Sequence, residues 1–152
     1  MNIYQNTDGA YGKNLFQDFV APAGVATPED IAAYEALGKK YIHWTTQADT
    51  PGCKMLMSAW YFEPNREQQL HGRDISEFEC HVHETDELLI YYGSDPADPT
   101  NLHGEIEFLI GGESHVINKS TLLYVPAGVP HSKPIVNSID RPIFHMAMEL
   151  AR

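Results

Sequence analysis

The sequence of 152 residues predicts one all-β domain built from short antiparallel strands, either a sandwich or a barrel. Short runs of aromatic and β-branched residues recur along most of the chain, and clusters of Gly, Pro, Asn and Asp separate them. The hydrophobic fraction of 43% is enough for one packed core, and the length is too small for two ordinary domains.

The first forty residues differ from the rest and predict a short helix preceded by an arm. Thr27 is typical of a helix cap, and Gly38 is typical of a helix end. Glycines and prolines interrupt residues 1–24, which we expect to lie across the domain or to reach a neighbouring subunit. We therefore divide the chain into an arm and helix, residues 1–40, packed on a β domain, residues 41–152.

The predicted strands are separated by segments rich in turn residues. In order they are residues 41–46, 54–62, a segment at 81–83, 88–92, 106–110, 115–117, 122–125 and 143–148. The polar residues 66–76 and the Pro- and Asp-rich residues 94–101 predict loops. Residues 111–112, both glycine, predict a hairpin turn, and residues 137–138 predict another turn.

The charge balance limits the possible partners. With 21 acidic and 10 basic residues the formal net charge is −11, which opposes binding to nucleic acid or to an anionic membrane. No apolar run approaches the roughly 20 residues of a membrane span, and the opening residues lack a signal-peptide pattern. We expect a cytoplasmic protein, in which Cys53 and Cys80 are small buried side chains and not a disulfide.

Three potential metal ligands fall within seven residues: His81, His83 and Glu87. If this segment is a strand, alternation places the two histidines on one face, and Glu87 returns from the following turn. Imidazoles combined with one carboxylate suit a divalent transition metal better than calcium or magnesium. His131 is the best candidate for a fourth ligand, because the turn at residues 126–130 can bring it back over the same face.

Neighbouring residues offer alternatives within the same segment. Glu84 and Asp86 are near enough in sequence to replace Glu87 as the carboxylate ligand, or to be solvated turn residues. Cys80 adjoins His81, but strand alternation directs it to the opposite face, so we do not expect it to be a ligand.

Two motifs together resemble those of a known family. His-x-His-x3-Glu, followed downstream by Pro-x-Gly-x2-His, is similar to the paired motif of the cupins. The resemblance covers roughly residues 53–150 and implies an antiparallel jelly-roll β-barrel. It also implies a metal bound by His81, His83, Glu87 and His131, and a homodimer.

Four further residues are candidates for catalysis inside the predicted barrel. His43 and His145 lie in strands that border the interior, where each is either a proton carrier or a hydrogen-bonded core histidine. Tyr61 and Tyr91 are likewise either catalytic or packing residues. Strand alternation places Tyr91 on the same face as Glu87. The many aromatic and methionine side chains predict a largely apolar cavity, which favours a small organic ligand.

The ligand set predicts an enzyme with an open metal site. Three imidazoles and one carboxylate leave two positions of an octahedral ion free. The first hypothesis is a lyase, isomerase or decarboxylase, in which Fe, Mn, Ni, Co or Zn polarises a carbonyl or hydroxyl of a small oxygenated substrate and stabilises an enediolate-like intermediate. The alternatives are a dioxygenase with a redox-active metal, and a non-catalytic module that binds a small ligand.

The basic residues give no clear indication of the charge of the substrate. Arg66, Arg73, Lys133 and Arg141 are scattered in sequence and form no cluster near the motifs. An anionic substrate is therefore permitted by the sequence but not indicated by it.

Overall fold

The computed structural model describes residues 14–151, so the predicted arm lies partly outside the described residues. Two helices are present, α1 at Pro28–Glu35 and α2 at Arg66–Leu70, together with a 3₁₀ turn at Ile75–Glu77. The strands are β1 Lys39–Thr46, β2 Cys53–Tyr61, β3 Cys80–His81, β4 Glu87–Gly93, β5 Asn101–Ile110, β6 Glu113–Lys119, β7 Thr121–Val125, β8 His131–Ser132, β9 Ile135–Ile139 and β10 Ile143–Leu150. Neither described helix has the length and hydrophobicity needed to cross a membrane.

The strands form two sheets in which every pairing is antiparallel. The first sheet has the order β1-β2-β10-β4-β7, and the second has the order β3-β8-β5-β6, with β9 also paired to β5. The prediction of a mostly β, antiparallel fold is confirmed. Within the described part of the chain both sheets are open, and their strands do not close into the predicted barrel.

The core lies between the two sheets. The first sheet contributes Leu89 and Ile143, and the second contributes Ile106 and Phe108, all of them buried. Burying a side chain of this size stabilises the fold by about 1.5–3 kcal/mol. Period-2 alternation is clearest along β10, whose buried and half-buried residues alternate from one end to the other. The buried row of β10 also includes polar side chains, so this strand carries part of the site as well as part of the core.

The predicted helix cap is present at the start of α1. The Asp30 N–H donates to the Thr27 Oγ1 at 3.1 Å, and the Thr27 N–H donates back to the Asp30 carboxylate at 2.8 Å. These two bonds satisfy backbone donors that the first turn leaves unpaired. From this segment Phe19 and Tyr34 pack against the core, which attaches the described part of the arm and α1 to the first sheet.

Three local predictions are wrong. The loop predicted at residues 66–76 contains α2 and the 3₁₀ turn. The turn predicted at residues 137–138 is part of β9, because that strand pairs with β5 through Ile106 and Val136. Cys80 is exposed rather than buried, since it lies in the two-residue strand β3 at an edge of the second sheet.

Gly93 is required by a close backbone approach where β4 ends and β5 begins. A Cβ atom added at Gly93 would lie 2.0 Å from the carbonyl oxygen of Asn101. We predict that Gly93→Ala lowers the free energy of unfolding by about 1–3 kcal/mol, because neither backbone can move without disturbing its own sheet.

Urea denaturation of Gly93→Ala and of Gly52→Ala tests this prediction. Gly52 is the matched control, because no atom lies within 4 Å of an added Cβ at that position. Equal midpoints for the two variants would contradict the proposed packing constraint.

Candidate metal centre

The four predicted ligands come together in the structure. One nitrogen or oxygen atom from each of His81, His83, Glu87 and His131 can be chosen so that all lie within 4.8 Å of one another. The Glu87 Oε2 is 2.7 Å from the Nε2 of His131 and 3.7 Å from the Nε2 of His83. Ligand atoms on one ion, at about 2.0–2.2 Å from it, lie within about 4.4 Å of each other. The cluster therefore fits a divalent transition metal after small side-chain adjustments.

Both sheets contribute to this cluster. His81 pairs directly with His131 between β3 and β8 of the second sheet, whereas Glu87 is the first residue of β4 in the first sheet. The strand predicted at residues 81–83 is shorter than expected, so His83 lies in the loop that joins β3 to β4. Glu87 accordingly projects from a strand and not from the predicted turn.

Two hydrogen bonds join the first motif to the second. The Gly128 N–H donates to the His83 carbonyl at 2.9 Å, and the Ala127 N–H donates to the Asp86 carboxylate at 2.9 Å. Asp86 therefore holds the loop of the second motif in place and is not in the ligand cluster. Glu84 is exposed and is also outside the cluster, which leaves Glu87 as the carboxylate that faces the histidines.

The environment of His131 favours the orientation that a ligand needs. Its Nδ1 lies 3.0 Å from the Val129 carbonyl, and its Nε2 faces Glu87. A backbone acceptor at Nδ1 fixes the tautomer and directs the Nε2 lone pair toward an ion. Burial opposes the charged imidazole, but the hydrogen bonds to Glu87 and Val129 raise the pKa of His131 above its usual value.

His83 has a carboxylate partner on its other side. Its Nδ1 lies 3.5 Å from the Glu149 carboxylate, which also accepts from Thr85 Oγ1 at 2.8 Å and pairs with Lys54 at 2.9 Å. Burial acts against ionisation of Glu149, but these donors lower its pKa below the usual value. Glu149 therefore remains a carboxylate that can orient the imidazole of His83.

Two carboxylates stand opposite each other in this region. Glu87 of β4 pairs with Glu149 of β10, and both side chains are buried. Like charges at directly opposite positions are destabilising unless cations compensate them. Lys54 compensates Glu149, whereas the ion-pair partners of Glu87 among the described residues are the imidazoles of His83 and His131, which favours a bound cation beside it.

A cavity of about 500 Å³ opens beside the cluster. Three of the four proposed catalytic residues line it: Tyr61, Tyr91 and His145. His145 is 2% exposed, and its ring stacks on Tyr91 at 4.6 Å. Burial, reinforced by the charge of Lys39, lowers the pKa of His145 to about 3. The imidazole is therefore neutral at pH 7, with its Nδ1 3.1 Å from the Ile90 carbonyl and its Nε2 available as an acceptor.

The two tyrosines are donors in this environment. Tyr61 and Tyr91 are 3% and 1% exposed, and burial raises the pKa of each phenol well above its usual value. The negative charge of Glu87 raises the pKa of Tyr91 further. Both hydroxyls therefore keep their protons at neutral pH.

His43 lies outside the cavity lining. Strict alternation along β1 placed it on the same face as Tyr41, but the register of β1 against β2 shifts between these two residues. The shift turns Trp44 toward the cavity in place of His43, and Trp44 stacks on Tyr41 at 5.1 Å. A register shift of this kind leaves no strong sequence signal, so the sequence does not indicate that His43 lies outside the cavity.

Three residues of the site were missed by the sequence analysis: Glu149, Lys39 and Lys133. Glu149 shares the strand parity of His145, so its period-2 spacing was a usable signal. Lys39 and Lys133 are far apart in sequence and both line the cavity. Only the pairing of distant strands brings them together, and no local pattern could have predicted that.

No family model and no curated protein sequence matches the chain. Solved structures do match in part. An RmlC-like cupin from Shewanella frigidimarina is 16% identical to this chain, and the match covers 64% of this chain and 67% of that chain with a TM-score of 0.38. Hydroxypropylphosphonic acid epoxidase from S. wedmorenis gives 13% identity over 72% of this chain and 50% of that chain, with a TM-score of 0.44. A structure of DMSP lyases gives 12% identity over 64% of this chain and 38% of that chain, with a TM-score of 0.36.

The chain thus spans only about half the length of the epoxidase that it matches. The overlaps have TM-scores below 0.5, and the site's own geometry is the stronger observation. Both motifs occur in cupin order and converge from two antiparallel sheets on one cluster of side chains. The chain has two antiparallel sheets and a pair of motifs similar to those of the cupins, and its His/His/Glu/His cluster fits a metal site.

Proposed function

We propose that this protein is a metal-dependent enzyme that acts on a small oxygenated organic substrate as a lyase, isomerase or decarboxylase. One observation carries the proposal: the four potential ligands lie at the wall of a cavity of about 500 Å³. Four protein ligands leave two positions of a six-coordinate ion free for a substrate. When bound, Fe, Mn, Ni, Co or Zn supplies Lewis acidity toward a carbonyl or hydroxyl oxygen.

The protein side chains around the cavity can position an oxygenated substrate by hydrogen bonding. Neutral His145 has an unprotonated ring nitrogen that can accept a hydrogen bond from the substrate, and the protonated Tyr91 hydroxyl can donate one. The two rings stack at 4.6 Å, so a hydrogen-bond acceptor and a donor lie side by side. Met57, Leu89 and Ala147 form an apolar wall that excludes water from the reacting groups.

The homodimer implied by the cupin resemblance stays a prediction. The outward face of the first sheet exposes Tyr92 and Leu122, at 43% and 57%. An exposed apolar face of this kind is typical of a subunit interface.

We predict that His83→Ala removes most of the bound metal and leaves the fold intact, because strands and core hold a domain of this size together. Elemental analysis of protein purified without a chelating tag measures the metal, and thermal melting measures the fold. Cys80→Ser is the matched control, since Cys80 is in the same segment but outside the cluster. Full metal occupancy in His83→Ala would contradict the assignment.

The wild-type protein and the His83→Ala variant also test the reaction class. With small hydroxy acids and oxo acids as substrates, we expect turnover that is equal with and without dioxygen and is lost in His83→Ala. Substrate-dependent oxygen consumption would instead support the dioxygenase hypothesis. Substrate binding without turnover by the metal-loaded protein would support the non-catalytic module.

Glu149→Gln tests the carboxylate behind His83. We predict that this change weakens metal binding by about 10- to 100-fold, because the imidazole loses the partner that orients it. Competition with a chromophoric chelator measures the affinity. Glu113→Gln is the control, because Glu113 makes a similar contact with His115 at 3.6 Å on the exposed strand β6. Equal affinities in the two variants would show that Glu149 does not orient the ligand.

A further inference from the structure

Two lysines converge on one wall of the cavity. The Nζ of Lys39 lies 5.5 Å from the ring centroid of Tyr34, and the Nζ of Lys133 lies 5.1 Å from the same centroid. Lys133 also donates a hydrogen bond to the Tyr34 hydroxyl at 2.9 Å. Both lysines line the cavity that contains the ligand cluster. Two basic side chains therefore share one aromatic ring in a protein whose net charge is −11.

Three aromatic rings lie around the ammonium group of Lys39, those of Tyr34, Tyr41 and Tyr61. Its Nζ lies 4.7 Å from the ring centroid of Tyr41 and 5.6 Å from that of Tyr61. The ion pairs formed among residues 14–151 include neither Lys39 nor Lys133. Cation–π contacts compensate only part of the loss of water around a half-buried ammonium group. Two amines that share one ring and have no ion-pair partner among the described residues repel each other when both are charged, and an anionic ligand would reduce that repulsion.

The rest of the cavity indicates which kind of anion fits. The rings of Tyr61, His145 and Tyr91 follow one another in the middle of the lining, with centroid separations of 5.7 and 4.6 Å. Lys39 lies over the ring of Tyr61, and the charge of Glu87 acts on Tyr91. Methionine and leucine side chains complete this middle region. Arginine, whose planar fork commonly holds a phosphate dianion through two hydrogen bonds, is absent from the described residues that line the cavity. A singly charged carboxylate on a short apolar chain matches the two lysines and the apolar middle better.

We propose that Lys39 and Lys133 form a carboxylate-binding subsite, which holds the acid end of an organic-acid substrate while its other end faces the His/His/Glu/His cluster. The contact between this substrate and the metal rests on the proposed function, whereas its contact with the two lysines does not. Lys39 is thus a specificity-determining residue, and its β1 position places it opposite Tyr61 on β2.

The electrostatics of Lys39 agree with this assignment. Burial, together with the charge of Lys133, lowers the pKa of Lys39 to about 7. A bound carboxylate would favour the protonated ammonium and restore the pKa toward its usual value. The Lys39 amine therefore gains positive charge when an acid binds beside it.

Binding of pentanoate to the full-length chain, as purified with its metal, tests the proposal by isothermal titration calorimetry. We expect Lys39→Met to weaken pentanoate binding by about 10- to 100-fold, because one charge-assisted hydrogen bond is lost while the side-chain length is kept. Lys40→Met is the matched control, since Lys40 is the next residue of β1 and is exposed. Lys39→Arg keeps the charge and should retain most of the affinity. Pentanamide, the uncharged isostere, should bind the wild type as weakly as pentanoate binds Lys39→Met.

His81→Ala separates this inference from the proposed function. A carboxylate held by the lysines stays bound in His81→Ala, whether or not that variant keeps its metal. Loss of binding in His81→Ala with full binding in Lys39→Met would place the carboxylate on the ligand cluster and overturn the proposal. Equal affinity of Lys39→Met and wild type, or no pentanoate binding by the wild type, would overturn it too. Tighter binding of inorganic phosphate than of pentanoate would overturn the choice of a carboxylate.

Discussion

The hydrogen bonding between the two histidine motifs is the interaction on which the site depends. The loop after β3 and the turn before β8 are joined by the hydrogen bonds from Gly128 to His83 and from Ala127 to Asp86. These bonds hold His83 of the first motif beside His131 of the second, although the two residues are 48 positions apart in the sequence. The pairing of β3 with β8 holds His81 beside His131, and these two bonds add His83 to the pair on the side that faces Glu87 of the opposite sheet.

Polar groups inside an apolar cavity explain the chemistry of the site. Burial keeps His145 neutral and the two tyrosine hydroxyls protonated, so the cavity offers both an acceptor and donors at neutral pH. The groups that line the cavity differ in charge. Glu87 and three imidazoles form the ligand cluster, and Lys39 and Lys133 converge on the ring of Tyr34. An asymmetric cavity of this kind orients a substrate that has an oxygenated end and an acidic end.

The sequence predicted the parts of this structure that local patterns encode. The alternation of β10, the Thr27 cap and the two histidine motifs each depend on residues close in sequence, and each appears in the structure. The bulge in β1 and the convergence of Lys39 with Lys133 depend on how distant strands pair. That pairing is set by packing across the whole domain, so residue types and spacing do not specify it.

X-ray absorption spectroscopy at the edge of the bound metal tests the central claim most directly. We predict a first shell of nitrogen and oxygen atoms at about 2.0–2.2 Å, with the multiple-scattering signal of three imidazoles. The signal should fall to two imidazoles in any metal retained by His81→Ala. A sulfur atom at about 2.3 Å, which Cys80 would supply, or fewer than two imidazoles in the wild type would contradict the His/His/Glu/His metal centre.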